Sequence, residues 1–200
     1  MKNSGNANHP RKGSLISVRP IRSQRDIRAI SKLTKDSPRN HLLFIMGVNN
    51  GIRIADLIKL KVKDVRDLKV GHILTITESK TDKDNIIVIN KSVHKALRNY
   101  LEKIQPDNED YLFPSRKGSS HLQSQAVSKL VKKWTKAINL KGNFGCHSLR
   151  KTWGYIQRTQ YGVGFEIICK RYNHSSPSIT MRYLGIQDRE VHEVLMNEIG

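Results

Sequence analysis

Two hundred residues, 37% of them hydrophobic, make one ordinary domain with a conventional core, or such a domain with a small appendage. Lys and Arg total 36 against 17 Asp and Glu, and a net charge of +19 carries a self-repulsion that a polyanion relieves, so nucleic acid is the expected partner. No run approaches the roughly 18 apolar residues of a membrane span and MKNSGNANHPRKG lacks the apolar centre of a secretory leader, so a cytoplasmic, nucleoid-associated protein with no membrane partner is expected.

The first acidic residue is Asp26, and Lys2, Arg11, Lys12, Arg19, Arg22 and Arg25 precede it among Gly, Ser, Asn and Pro. Residues 1–21 therefore read as a basic flexible arm, either a solvated tail or a strap along phosphates. Ser23 as cap with Asp26 three residues later, then Ile27, Ile30 and Leu33, predicts a first helix. Ser37 and Pro38 open a second, carrying Leu42, Leu43, Ile45 and Met46 to the stop at NNG, and IADLIKL reads as a short third. HILTIT and NIIVIN, β-branched runs flanking the polar ESKTDKD, predict a hairpin.

SVHKALRNYLEKI then places Val93, Ala96, Leu97, Tyr100, Leu101 and Ile104 on one helical face. Ala126, Val127, Leu130, Val131, Trp134 and Ile138 give another amphipathic helix, and HSLRKTWGYIQRT a further one, with Trp134 and Trp153 read as core. Ser176 and Pro177 fit the start of a short helix bearing Tyr183, and DREVHEVLMNEI is an amphipathic C-terminal segment. The predicted fold class is mainly α with a small antiparallel β-hairpin, an α+β arrangement that names no function by itself. Aromatic content of 6% favours duplex DNA over single-strand stacking; a ribosome-associated protein or a plain basic surface is the blander reading of the charge. Cys146 and Cys169 fit no metal spacing and read as reduced thiols.

Five short stretches fall in a telling order: GIRIADL around Arg53, ESKTDK around Lys80, HSLR with His147 and Arg150, NHSS with His174, and MRYLG with Tyr183, nine positions after that histidine. Singly each is weak: arginines and lysines are mostly surface charges, and a lone tyrosine is mostly core. Together, from about residue 22 to the C-terminus, they resemble the catalytic domain of the tyrosine recombinases, the phage integrase family. The resemblance implies that family's fold and a metal-free, cofactor-free cleavage of duplex DNA through a 3′-phosphotyrosyl bond. It assigns Arg53 and Arg150 to the phosphate, His147 to proton handling or hydrogen bonding, His174 to a non-bridging oxygen, and Tyr183 to nucleophilic attack. Lys80 is implied as the acid that protonates the departing 5′ oxygen, with Lys83 as runner-up, and Asp56 as a support that orients Arg53 or its neighbours.

The chemistry suits these residue types. Attack on an anionic phosphodiester adds charge to its non-bridging oxygens, which planar, permanently charged guanidiniums stabilise. A phenol with a reference pKa of about 10 needs nearby cations or a base to lose its proton.

This chain departs from the pattern in having Asn173 for the usual glycine before the second histidine, an exchange that a left-handed backbone tolerates, and Lys151 where the family often has histidine. In extent it resembles the small stand-alone fimbrial-switch recombinases that lack a helical domain ahead of the catalytic one. The reading divides it into arm (1–21), catalytic domain (22–184) and C-terminal segment (185–200), the last docked on its own domain or exchanged between protomers of a homotetramer on two DNA sites. Accessory DNA-bending proteins are possible partners. A non-cleaving DNA-binding protein of the same fold, and a type IB topoisomerase-like relaxing enzyme, are the alternatives.

Overall fold

A computed structural model of the chain describes residues 17–116, 118–186, 195, 196 and 198. Helix α1 (Gln24–Thr34) starts where Ser23 Oγ accepts the Asp26 N–H at 3.0 Å. Helix α2 (Pro38–Asn50) has Pro38 in its first turn, but Ser37 holds the cap position without making a side-chain cap bond. Leu42, Leu43, Phe44, Ile45 and Met46 are all buried, because α2 is covered by neighbours on more than one side. Burying each such side chain contributes roughly 1.5–3 kcal/mol.

Gly51 ends α2 in the left-handed region (φ 60°), and a Cβ there would stand 2.6 Å from the Trp153 ring, so two constraints fix glycine at the turn that presents Arg53. The predicted helix in IADLIKL is shorter than its apolar pattern: α3 covers only Ile54–Leu57, and a 3-10 turn follows at Val62–Asp64. Strands β1 (Ile73–Thr77) and β2 (Asp84–Val88) pair antiparallel, with Ile73 opposite Val88 and Thr77 opposite Asp84. Asn85 and Ile87 of β2 face inward while Ile86 and Val88 face out, the alternation of a hairpin with one covered side.

Helix α4 (Lys91–Ile104) is capped by Asn90 and buries Val93, Ala96, Leu97 and Tyr100 against α2; Ile104, predicted on that face, is 49% exposed because the helix outruns the core at its end. Helix α5 (Ser124–Ala137) buries Val127, Val131 and Trp134 and leaves Lys129, Lys132, Lys133 and Lys136 in solvent. Helices α6 (Cys146–Tyr161), α7 (Phe165–Tyr172) and α8 (Pro177–Leu184) close the fold, with Tyr155, Ile168, Tyr172 and Leu184 forming a second core cluster. Trp153, read from sequence as core, is half-buried.

The described end of the basic arm is packed. Ile21 is 0% exposed and its N–H donates to Thr152 Oγ1 at 2.8 Å, while the Arg19 N–H donates to Asn143 O at 2.8 Å. The arm upstream of residue 17 and most of DREVHEVLMNEI lie outside the described residues. Among the described residues no helix is long and apolar enough to cross a membrane.

Candidate active site

Three elements bring the predicted residues to one cleft. Arg53 caps α3 straight after the Gly51 turn. His147, Arg150 and Lys151 stand in the first turns of α6, whose start is anchored by Cys146 N–H donating to Ser128 Oγ of α5 at 3.1 Å. Helix α7 ends on Asn173 in the left-handed region (φ 53°), the conformation expected of it, and the chain turns through His174 into α8. Ser176 caps α8 by accepting the Ile179 N–H at 3.4 Å, Pro177 occupies its first turn, and Tyr183 rides in its last.

The centre of the cleft is a residue the sequence did not single out. Glu78 is 0% exposed, its carboxylate ion-paired to Arg53 Nη1 and lying 3.7 Å from Arg150 Nη1. Its oxygens accept from Asn173 Nδ2 at 3.0 Å, Thr81 Oγ1 at 2.7 Å and Asn85 Nδ2 at 2.9 Å. Burial alone pushes this carboxyl up, but the donors from Asn173, Thr81 and Asn85, with Arg53, outweigh it and hold it at about 2. A signal was present: Leu74, Ile76 and Glu78 lie two apart, so Glu78 continues the inward face of β1.

Arg150 is only 2% exposed. Its Nη2 donates to Tyr172 O at 2.8 Å and its guanidinium lies 4.4 Å from the Tyr172 ring centroid. Nη1 of both Arg53 and Arg150 is buried and turned toward the Glu78 carboxylate, so the two guanidiniums share one anion. Burial raises the Tyr183 phenol, and Arg150 and then Arg53 pull it back. The Tyr183 ring meets those of Tyr172 and His174 edge-on at 5.5 and 5.3 Å, and Lys151 Nζ lies 4.6 Å from its centroid.

His174 Nδ1 pairs with the buried Thr180 hydroxyl at 2.9 Å. Desolvation, then Arg150 and Arg53, drop its pKa to about 4 against a weaker pull from Glu78, so it is neutral at pH 7. The neutral tautomer in which Thr180 donates to Nδ1 carries its proton on Nε2, free to donate in turn. His147 is solvent-accessible at the rim, its pKa lowered by partial desolvation and then by Arg150, Lys151, Arg53 and Lys80.

Lys80 and Lys83 are exposed at the hairpin tip and stand apart from the buried cluster. Asp56 is buried and its Oδ1 accepts the Ser79 N–H at 3.0 Å, so it secures the hairpin beside Lys80 rather than Arg53. Arg171, also missed, pins α7 to both neighbours: Nε donates to Asn50 O at 2.9 Å and Nη2 to Ile86 O at 2.6 Å.

A tyrosine, two guanidiniums and a neutral imidazole around one cleft are the residue types that transfer of a phosphodiester to tyrosine uses. Residues 23–190 match the model of the phage integrase family. The chain is 40% identical over 174 residues to the probable integrase/recombinase YoeC of Bacillus subtilis, covering 86% of this chain and 91% of that one. It is 29% identical over 162 residues to tyrosine recombinase XerA of Pyrococcus horikoshii, covering 80% of this chain but 55% of that protein. It thus spans nearly all of the Bacillus relative and little more than half of the archaeal one. The crystal structure of XerA recombinase superposes with a TM-score of 0.73 at 23% identity, over 90% of this chain and 67% of that one. A lambda integrase dimer bound to a COC′ core site gives 0.63 at 20% identity, over 97% and 54%. The chain belongs to the phage integrase family.

Proposed function

We propose that this protein is a site-specific tyrosine recombinase that cuts and rejoins duplex DNA. The observation that carries it is Tyr183, packed edge-on against Tyr172 and His174, beside Arg53 and Arg150 that converge on one buried carboxylate. A scissile phosphate accepts from both guanidiniums and from His174 Nε2–H, and the extra charge of the pentavalent state strengthens each contact. Tyr183 Oη attacks phosphorus, its proton passing toward His147 or water. The P–O5′ bond breaks, Lys80 gives the departing oxygen its proton, and the 3′ end stays linked to Tyr183. A 5′-hydroxyl from a partner strand reverses these steps, so the ester retains the bond energy and no nucleotide cofactor is required.

Tyr183 stands in its own protomer's cleft, which favours cleavage in cis. Exchange between two sites, each with two half-sites, calls for four protomers, so a homotetramer on two duplexes is the assembly proposed. Exchange of the C-terminal segment between protomers, and help from DNA-bending proteins, belong to the same proposal. The exposed lysines of α5 supply phosphate contacts, and the working place is the nucleoid.

The test is selection of protein-linked strands from a random library of nicked duplexes, followed by denaturing gels on the selected site. Wild type is expected to give a covalent adduct and Tyr183→Phe none. No adduct from wild type on any selected duplex would sink the reading. Binding should also weaken steeply with salt, by roughly 0.9 in the log-log slope per phosphate neutralised.

A further inference from the structure

We infer that Glu78 is a positioning residue of the reaction, a buried anion that locks Arg53 and Arg150 to the hairpin carrying Lys80 and, through Asn173, to the turn that launches α8. The inference deepens the recombinase reading and rests on it. Two guanidiniums held this close repel each other: desolvation lowers the Arg150 pKa, Tyr183 and Tyr172 oppose it, Arg53 lowers it further, and Glu78 also opposes. Among the described residues, Glu78 is the carboxylate that pairs with both guanidiniums. Its partners come from four elements: Arg53 from α3, Arg150 from α6, Thr81 and Asn85 from the hairpin, and Asn173 from the end of α7.

The carboxylate does not touch the reacting atoms. It sets where the Arg53 and Arg150 side chains rest, so that the guanidiniums meet the phosphate without reorganising. The same arrangement gives the exchange of glycine for Asn173 a purpose. The asparagine keeps the left-handed turn and adds a donor, joining the general-acid hairpin to the nucleophile's helix by one hydrogen bond.

The experiment compares wild type, Glu78→Gln and Asn173→Gly on the selected duplex under saturating, single-turnover conditions, measuring the rate constant of adduct formation. Side-chain N–H exchange of Arg53 and Arg150 is followed by NMR without DNA. Glu78→Gln should slow cleavage by about 10²-fold, the scale of an ångström-size misplacement, with DNA affinity little changed because many other phosphate contacts set it. Asn173→Gly, which keeps the turn and is expected to fold, should lose roughly tenfold. Both should speed guanidinium exchange. In an Arg53→Ala background, Glu78→Gln should slow cleavage much less than it does in wild type.

Wild-type rates in both variants with unchanged exchange would overturn the inference, as would full additivity with Arg53→Ala. Faster exchange in the variants, with no adduct even from wild type, would uphold the positioning role and overturn the recombinase reading instead.

Discussion

Gly154 sits mid-helix in α6, where alanine ordinarily stabilises by about 1 kcal/mol. Here the sign should reverse. A Cβ at this position would lie 2.3 Å from Tyr172 Oη and 2.9 Å from its Cζ. The hydroxyl cannot retreat easily: it accepts the Gly154 N–H at 3.0 Å and donates to Arg150 O at 2.6 Å, inserting itself between the donor and acceptor that pair in a regular helix. Overpacking a filled core costs about 1–3 kcal/mol, and stranding a buried polar group about 1–3 more. Subtracting the propensity gain leaves Gly154→Ala destabilised by about 1–5 kcal/mol, a fall in Tm of about 2–20 °C for a domain of this size. Thermal and urea unfolding measure it, with adduct formation as the second readout, because Tyr172 also carries Arg150. Adding Tyr172→Phe removes the clashing oxygen and lets the helix close its own bond, so the double variant should be more stable than Gly154→Ala alone. A Gly154→Ala protein as stable as wild type would refute the reasoning.

Further outcomes follow from the cleft. His174 has a folded pKa of about 4 against an ordinary 6.5, so it refuses a proton that the unfolded chain accepts. Stability should fall as pH drops from 6.5 toward 4, and urea titrations of His174→Gln should lack this component. Ser176→Ala removes the α8 cap and should cost about 0.5–1 kcal/mol by thermal melt, the low end because the bond is 3.4 Å, while slowing adduct formation by loosening Tyr183. Arg171→Ala unpins the hairpin from α2 and α7 and should destabilise by about 2–4 kcal/mol in urea. Arg171→Lys should recover only part of this, since an ammonium cannot span the Asn50 and Ile86 carbonyls with one planar fork.

The motif residues were legible because each is carried by a local pattern: a turn before Arg53, one helix face for His147 and Arg150, and a Ser-Pro helix start eight residues before the end of α8. Among the described residues, both strands were read from β-branched runs flanking a polar tip, and seven of the eight helices from apolar spacing, cap residues or both. The phosphate cleft's supports were not legible, because their roles exist only after long-range packing. Glu78 stands in a polar tip that reads as solvated, and only closure of the hairpin over Arg53 buries it. Tyr172 and Gly154 become a pair only when α7 lies across α6. Ile104 erred the other way, its periodicity continuing past the point where the core does. Helix α7 went unread because Phe165, Ile168 and Tyr172 are too few apolar positions over too short a span to declare a period.

The packed end of the basic arm decides where the protein can be cut. A minimal domain begun at Gln24, the first helical residue, would lose Ile21 from the interior and leave Thr152 Oγ1 without the Ile21 N–H. It would also strip away Ser17, whose hydroxyl takes the Lys151 ammonium at 2.9 Å directly over the Tyr183 ring. Trimming a segment that looks expendable would thus leave a buried lysine to find a new acceptor beside Tyr183. Fusions and tags belong ahead of Ser17, and a shortened enzyme with poor activity should first be suspected of having been shortened too far.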